Sequence, residues 1–508
     1  MTAAAASGLV DRTARAASWR LAASIVAAAS QLVVGIILAR LLPPAEFGVM
    51  ALATVLIGFV RPIADLGLGN ALVQRPRIDH RHIRVSFTAA VMCGAALTAI
   101  VAAAAPLAGM LARQALVAAV GRLLAVLFLI RGCGVVAEAL LRRRLDFRRL
   151  FFIEAGSYAV GYGIVAIVLA LSGYGVWSLA WGAIVQAATA TLAQGLAVRH
   201  DVRPLFARTE LVELLRFGAG ASAASWVNYL ALNGDNFVVG RVLGTAALGL
   251  YGRAYALMDL PHAYISGVVA GVLFPAFAQV QNDAVRLQRG YLLMTRATAI
   301  VAGPALAILA VTAPHLVASV YGPRWSGVVL PLQILCVAGY FRALYHLGGV
   351  IVQSVGQVYG ELVRQAIYAG LVLAGAFVGA RVGLPWVAVA VGGAIVFMYV
   401  ATATAALRAS GTGWRCYLAA QRPAALTTAA TLIVAIGARL LIERWTSSSV
   451  AIVVVVAAVA ALPWAAGALH ELADPAYEPL RGVLPAGPLR FVAALRPLTS
   501  SPVSPRSL

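Results

Sequence analysis

The residues of this chain best placed to do chemistry are charges set inside long apolar runs: Arg61, Asp65, Arg122, Arg131, Glu138, Glu154, Asp235, Arg253, Asp259 and Arg342. A charge at bilayer depth costs from about 3 kcal/mol upward, so such residues turn toward the protein interior or a wet cavity. Arg253 and Arg342 have no close acidic partner on their own runs, and His346, four residues after Arg342, would be neutral or repulsive. A guanidinium without a partner suits an anion, because its planar fork can hold two phosphate oxygens at once. Pairing with Asp235 or Asp259 across helices is the alternative. Arg61 and Arg122 complete the set of candidate anion contacts. Arg61 and Asp65 also stand four residues apart on one helix face, as a self-neutralising pair or as a switchable pair lining a cavity.

A second group is acidic and polar. Asn228, Asn233, Asp235 and Asn236 make one run the most polar of all, and Asn228 and Asp235, seven residues apart, share a face. That face suits hydrogen bonds between helices, each worth about 1 kcal/mol or less, or contact with a coupling ion or a sugar. Asp65, Asn228, Asp235 and Asp259 are the candidate ion-coupling or cavity-lining set. Arg131 and Glu138 lie two turns apart, so each needs another partner, and Glu154, just after Arg148 and Arg149, reads as a solvated rim charge.

Nothing in the chain assembles into a catalytic site. It has no glycine-rich phosphate loop ending in Lys-Ser/Thr, no GxSxG, no HExxH and no acid-rich metal motif. The four cysteines, Cys93, Cys133, Cys336 and Cys416, are far apart without metal spacing and read as buried thiols. No catalytic residue, metal or cofactor is expected, and the protein is read as a non-enzyme.

The elements that must hold these residues are membrane spans. Of the 508 residues, 62% are hydrophobic and 11% charged, against about half and about a quarter in a soluble domain. One span takes about 20 apolar residues. The runs near 18–42, 48–73, 86–109, 117–141, 150–172, 176–198, 214–240, 249–279, 291–313, 328–355, 362–380, 384–407, 417–440 and 448–469 make about fourteen. The segment 1–17 is a short N-terminus, and the Pro/Ser-rich tail 470–508 reads as disordered. Pro261, Pro304 and Pro331 fall in or beside spans, where they suggest kinks.

The formal charge is +21, and all of the base is arginine. Nucleic acid is not the expected partner, because the arginines fall in alternate loops: 75–84, 142–149, 199–216, 286–296 and 408–422 are rich, while 42–47, 172–175 and 244–248 are poor. By the positive-inside rule the rich loops and both termini are cytoplasmic. Trp177, Trp325, Trp386 and Trp445 then fall at outer span ends, where indoles suit the boundary with water.

The chain also repeats itself. Arg40-Leu41-Leu42 followed by Phe47-Gly48 returns as Arg241-Val242-Leu243 followed by Leu248-Gly249, an offset of 201 residues (249 − 48) without a gap. The repeats are parallel, about an axis along the membrane normal. The expected fold is all-α and polytopic, with two six-helix pseudo-symmetric lobes, 18–198 and 199–407, around a central cavity and two extra helices in 408–469.

The stretches Ile37-Leu38-Ala39-Arg40-Leu41-Leu42-Pro43-Pro44-Ala45-Glu46-Phe47-Gly48 and Ala64-Asp65-Leu66-Gly67-Leu68-Gly69-Asn70-Ala71-Leu72-Val73-Gln74-Arg75 resemble the signature of the Wzx-type polysaccharide repeat-unit flippases. Asp235–Gly244, Ala247–Tyr255, Leu273–Phe277 and Tyr321–Trp325 continue the likeness, which runs from about residue 18 to about 410 and is closest to the colanic-acid-type branch. The resemblance implies a member of the multidrug/oligosaccharidyl-lipid/polysaccharide exporter superfamily. It implies flipping of an undecaprenyl-diphosphate-linked oligosaccharide for lipopolysaccharide or exopolysaccharide synthesis, by alternating access coupled to H+ or Na+. Polymerase and glycosyltransferases of the same pathway are the implied partners. Asp235, Arg241 and Arg253 sit in the shared motif. A peptidoglycan-precursor (lipid II) flippase is the alternative reading. A cation-coupled drug exporter is disfavoured by the excess of intramembrane arginine, and a membrane polymerase by the lack of a large outer loop.

Overall fold

A computed structural model describes residues 30–60, 68–75, 78–207, 226, 228–268, 283–356 and 358–473. Among them there is no β-strand. In chain order the helices are α1 (Ser30–Leu41), α2 (Pro44–Gly58), α3 (Leu68–Gln74), α4 (His80–Ala112) and α5 (Ala115–Arg143). Then come α6 (Phe147–Leu171), α7 (Val176–Ala197), α8 (228–242), α9 (Thr245–Val268) and α10 (Ala284–Val320). A 3-10 turn, Pro323–Val328, leads into α11 (Val329–Ser354), followed by α12 (Val358–Ala380), α13 (Leu384–Ser410), α14 (Trp414–Ile442) and α15 (Ser449–Ala473).

Ten helices among the described residues are long and apolar enough to cross a bilayer. The segments at the expected first, second, seventh and eighth spans, namely α1, α2, α8 and α9, are not among the ten. They are shorter or interrupted by charge, and they carry Asp235, Arg253 and Asp259. Their continuations through 18–29, 61–67, 214–225 and 269–279 lie outside the described residues.

Local sequence explains the hairpins. Pro44 opens α2, where a missing N–H costs nothing, and Glu46 sits in its first turn, facing the positive end of the helix dipole. Gly244 turns the chain from α8 to α9 at φ 89°, a conformation that side chains with a Cβ rarely adopt. Helix α9 runs through Pro261, and α10 through Pro304 and Pro314, without a break in the helix.

Small residues set the helix spacing. A Cβ on Gly94 of α4 would lie 2.6 Å from the Phe128 carbonyl oxygen of α5, and one on Gly132 of α5 would lie 2.6 Å from that of Ala90. The absence of those methyls lets the backbones approach, which is how helices bind one another in lipid. The largest buried cluster joins the halves: Ala39, Val49 and Leu52 of the first pack in one core with Leu248, Tyr251 and Trp325 of the second. The seam is reciprocal. A Cβ on Gly48 would collide with the Thr245 carbonyl, and one on Gly249 with the Pro44 carbonyl. Each contact is the other shifted by the repeat offset, as a two-fold axis between α2 and α9 requires.

Two expectations need correction. Trp325 is fully buried, not at a water boundary, whereas Trp386 and Trp445 are exposed. Cys336 is buried, but Cys416 is exposed and Cys93 and Cys133 are half-buried. A short apolar neighbourhood in sequence does not say which face of a helix meets protein.

Candidate functional site

The seam's arginine-poor end is built from both halves. Arg40, at the end of α1, donates through Nε to the Val320 carbonyl at 2.8 Å and through Nη2 to the Ser319 carbonyl. It thereby caps the negative C-terminal end of α10. The buried Trp325 donates Nε1–H to the Ala39 carbonyl at 2.8 Å and meets the edge of Phe47 at 5.4 Å between centroids.

Arg253, on the third turn of α9, reaches into this cluster. Its guanidinium carbon lies 4.3 Å from the Phe47 centroid and 5.9 Å from those of Tyr321 and Trp325. Gly35 of α1 leaves it room: a Cβ there would stand 3.4 Å from Nη1. Its Nε is buried without a hydrogen-bond partner, and no carboxylate pairs with it among the described residues. The rings solvate the cation through their negative faces, worth about 0.5–2 kcal/mol, which is far less than a carboxylate would supply in the same place. A half-buried cation that meets only rings among the described residues keeps most of its attraction for an anion.

Arg342 is placed differently. From α11 its Nε donates to Asp259 Oδ1 of α9 at 2.6 Å and its Nη1 to the Tyr345 hydroxyl at 3.3 Å, with the Tyr255 ring 5.3 Å away. Its charge is answered, as the cross-helix alternative required. Asp235 is 3% exposed and accepts from the Tyr251 hydroxyl at 2.7 Å and from the Asn236 N–H at 2.8 Å. Asn228 is exposed while Asp235 is buried, so the face they share by spacing is divided between two environments. Asn233 bonds within its own helix, to the Tyr229 carbonyl at 3.1 Å. His346 meets His262 edge-on at 5.0 Å beside the Arg342 pair.

Arg122 is exposed on α5 without an ion pair among the described residues. Glu138 pairs with Arg142, one turn on. Arg61 and Asp65 lie outside the described residues. The structure therefore gathers Asp235, Asp259 and Arg342 into one polar region of the second half and leaves Arg253 alone at the seam.

Sequence reasoning missed the rings. Phe47, Tyr251, Tyr255 and Tyr321 entered only as members of the quoted motifs, and their packing around Arg253, Asp235 and Arg342 gives them a role. It also missed the stacked pair Tyr158 and Tyr162 at a π-helical segment of α6, Ala159–Ala166. Their spacing of four was a signal in the chain. No cluster of three metal-ligating side chains occurs among the described residues. Two apolar grooves lie elsewhere, one between α2, α4 and α5 and one between α14 and α15, and neither is lined by these arginines.

The chain matches the family model described as "Polysaccharide biosynthesis protein" over residues 37–330. It is 28% identical over 356 residues to the lipopolysaccharide biosynthesis protein WzxC of Escherichia coli (strain K12), covering 69% of this chain and 71% of that protein. It is 29% identical to the succinoglycan biosynthesis transport protein ExoT of Rhizobium meliloti (strain 1021), covering 68% and 71%. Its fold is similar to the lipid II flippase MurJ in an inward closed conformation, with TM-score 0.72, 12% identity and coverage of 88% and 98%. It is also similar to an inward-facing multidrug resistance MATE family transporter, with TM-score 0.62, 17% identity and coverage of 80% and 99%. With the repeat hairpins, the helical fold and more than half of the chain matched, the protein belongs to the polysaccharide biosynthesis protein family, as its resemblance to the Wzx-type members implied.

Proposed function

We propose that the protein carries a lipid-diphosphate-linked oligosaccharide across the bacterial cytoplasmic membrane by alternate opening of its two halves. The observation that carries this reading is Arg253, a half-buried guanidinium that meets no carboxylate among the described residues and lies between rings from both halves. A diphosphate supplies the charge those rings do not, and the planar fork suits its oxygens. The names of the relatives, which concern lipopolysaccharide synthesis and succinoglycan transport, support the saccharide part of the cargo. The arginine-rich end is taken as cytoplasmic, and the closed seam then faces outward. Arg122 and Arg61 are further anion contacts along the route. Asp235 and the Asp259–Arg342 pair are the groups proposed to respond to H+ or Na+, since protonating or metallating Asp259 would release Arg342.

The test is complementation of a bacterial strain that lacks its own repeat-unit flippase. Arg253→Gln should abolish surface polysaccharide and leave lipid-linked oligosaccharide in the inner leaflet, while Arg253→Lys should retain part of the export. Wild-type export by Arg253→Gln would remove the anion grip from the mechanism.

A further inference from the structure

The turn between α5 and α6 holds five arginines in eight residues, Arg142, Arg143, Arg144, Arg148 and Arg149. Three of them are engaged with the protein itself. Arg143 Nη1 donates to the Leu72 carbonyl at 2.9 Å and to the Val73 carbonyl at 3.3 Å, closing the negative end of α3. Arg142 pairs with Glu138. Arg149 pairs at 3.2 Å with Asp146, whose carboxylate also caps the first turn of α6. Arg144 and Arg148 stand exposed. Arg144 meets no carboxylate among the described residues, and the Arg148 guanidinium lies 5.9 Å from the centroid of the Phe152 ring.

The backbone of the turn gives a second, independent observation. The Leu145 N–H donates to the Arg142 carbonyl at 3.0 Å, and the Asp146 N–H to the Leu141 carbonyl at 3.1 Å. These paired bonds end a helix on a left-handed residue, a place that glycine usually fills. Here it is Leu145, at φ 56° and 71% exposed. A side chain with a Cβ is strained in that conformation, and in water an exposed leucine offsets none of the strain. Against acyl chains it does, because its apolar surface leaves water. Beyond the turn, Phe152, Val160, Ile164 and Val168 are exposed on one face of α6, an apolar stripe suited to lipid. The two arginines therefore stand where that stripe ends, at the arginine-rich boundary of the bilayer.

We propose that Arg144 and Arg148, with Leu145 and Phe152 beside them, bind the headgroup of an anionic phospholipid in the arginine-rich leaflet, the one taken as cytoplasmic. The lipid phosphate meets the guanidinium forks in charge-assisted hydrogen bonds, while the acyl chains lie along the stripe that Phe152 begins. The arginine stems rest on apolar surface and keep their charged heads at headgroup level. A lipid with net negative charge is preferred to a zwitterionic one, because a headgroup ammonium is repelled where the phosphate is attracted. Because Arg143 grips α3 from the same turn, the bound lipid holds the ends of α3, α5 and α6 at one depth in the membrane. The transported cargo takes no part in this contact, so the site stands or falls apart from the transport reading.

The test places a fluorophore on the stripe. Gly156, one turn beyond Phe152, is exposed and has open space where a Cβ would stand. The full-length protein, with its four native cysteines replaced and Gly156→Cys labelled with bimane, is set in phosphatidylcholine nanodiscs. These contain either phosphatidylglycerol or phosphatidylcholine with brominated acyl chains, which quench the label on contact. The readout is the ratio of the two lipid fractions that half-quench it, since a general loss of folding moves both together. In the labelled parent, phosphatidylglycerol should quench at a fraction about twentyfold lower than phosphatidylcholine, from about fivefold per arginine. Arg144→Gln and Arg148→Gln should each cost about fivefold of that preference. The double glutamine variant should quench equally with both lipids, while Arg144→Lys with Arg148→Lys should keep the preference. Equal quenching by the two lipids in the parent, or an undiminished preference in the double glutamine variant, overturns the site.

Discussion

At the scale of single residues, a buried arginine and a half-buried one have opposite fates because of what faces them. Arg342 meets Asp259 at 2.6 Å, and Arg253 meets three aromatic rings. Removing one partner of a buried ion pair leaves an uncompensated charge and costs about 3–5 kcal/mol, whereas replacing both by apolar groups is often close to neutral. Arg342→Ala and Asp259→Ala should therefore each lower the thermal midpoint of the purified protein substantially, and Arg342→Met combined with Asp259→Leu should recover much of the loss. A double variant as unstable as the sum of the singles would show that the two side chains act independently. Asp235 is satisfied by Tyr251 at 2.7 Å, so Tyr251→Phe should expose its desolvation cost, about 1–3 kcal/mol, as a lower midpoint.

At the scale of elements, helix ends are where the halves and their neighbours are fastened. Arg40 closes the carbonyl end of α10, and a second clasp ties α10 to α14 nearby. There His315 Nε2 and Glu443 Oε1 stand 2.7 Å apart, and Arg439 Nε donates to the same oxygen at 2.7 Å. The hydrogen bonds from Arg439 and His315 hold the Glu443 carboxyl below its ordinary range. A lowered pKa means that the folded state favours the ionised form. The clasp's stabilisation is therefore fully present above the ordinary glutamate value of about 4.3 and is lost as pH falls through the lowered value. Thermal midpoints measured from pH 7 down to pH 3 should fall on the acid side in wild type, and Glu443→Gln should flatten the part of that fall due to this clasp. Equal slopes in the two proteins would show that the clasp adds nothing measurable. For Arg40→Ala the expected effect is a loss of about 0.3–1 kcal/mol from the uncapped end of α10.

At the scale of the whole molecule, the two hairpins meet as each other's image. Gly48 lies against Thr245 and Gly249 against Pro44, backbone to backbone. Neither site has room for a side chain, because carbonyl groups cannot rotate away as a flexible side chain can. Gly48→Val should therefore force the seam apart at its arginine-poor end. The measurement is labelling of Ala39→Cys by a membrane-impermeant maleimide, with the four native cysteines replaced. Ala39 is 2% exposed, so the probe should stay unlabelled in the parent and become reactive with Gly48→Val. An unlabelled Gly48→Val protein that still folds would show that the seam does not depend on this contact. The length, hydropathy and internal repeat of the chain were enough to read a polytopic helical protein with two related halves, and the spacing of the intramembrane charges was enough to nominate Arg253, Arg342, Asp235 and Asp259. These properties are legible because they depend on neighbours along the chain: a span is a run, and a helix face is a period. Which nominated arginine is neutralised, that Trp325 is buried, that Asn228 and Asp235 part company, and that Phe47 lies over Arg253 were decided only by the tertiary structure. Each depends on a partner contributed by another helix, often hundreds of residues away, and the distance between two side chains across a packed interface is not written in their separation along the sequence.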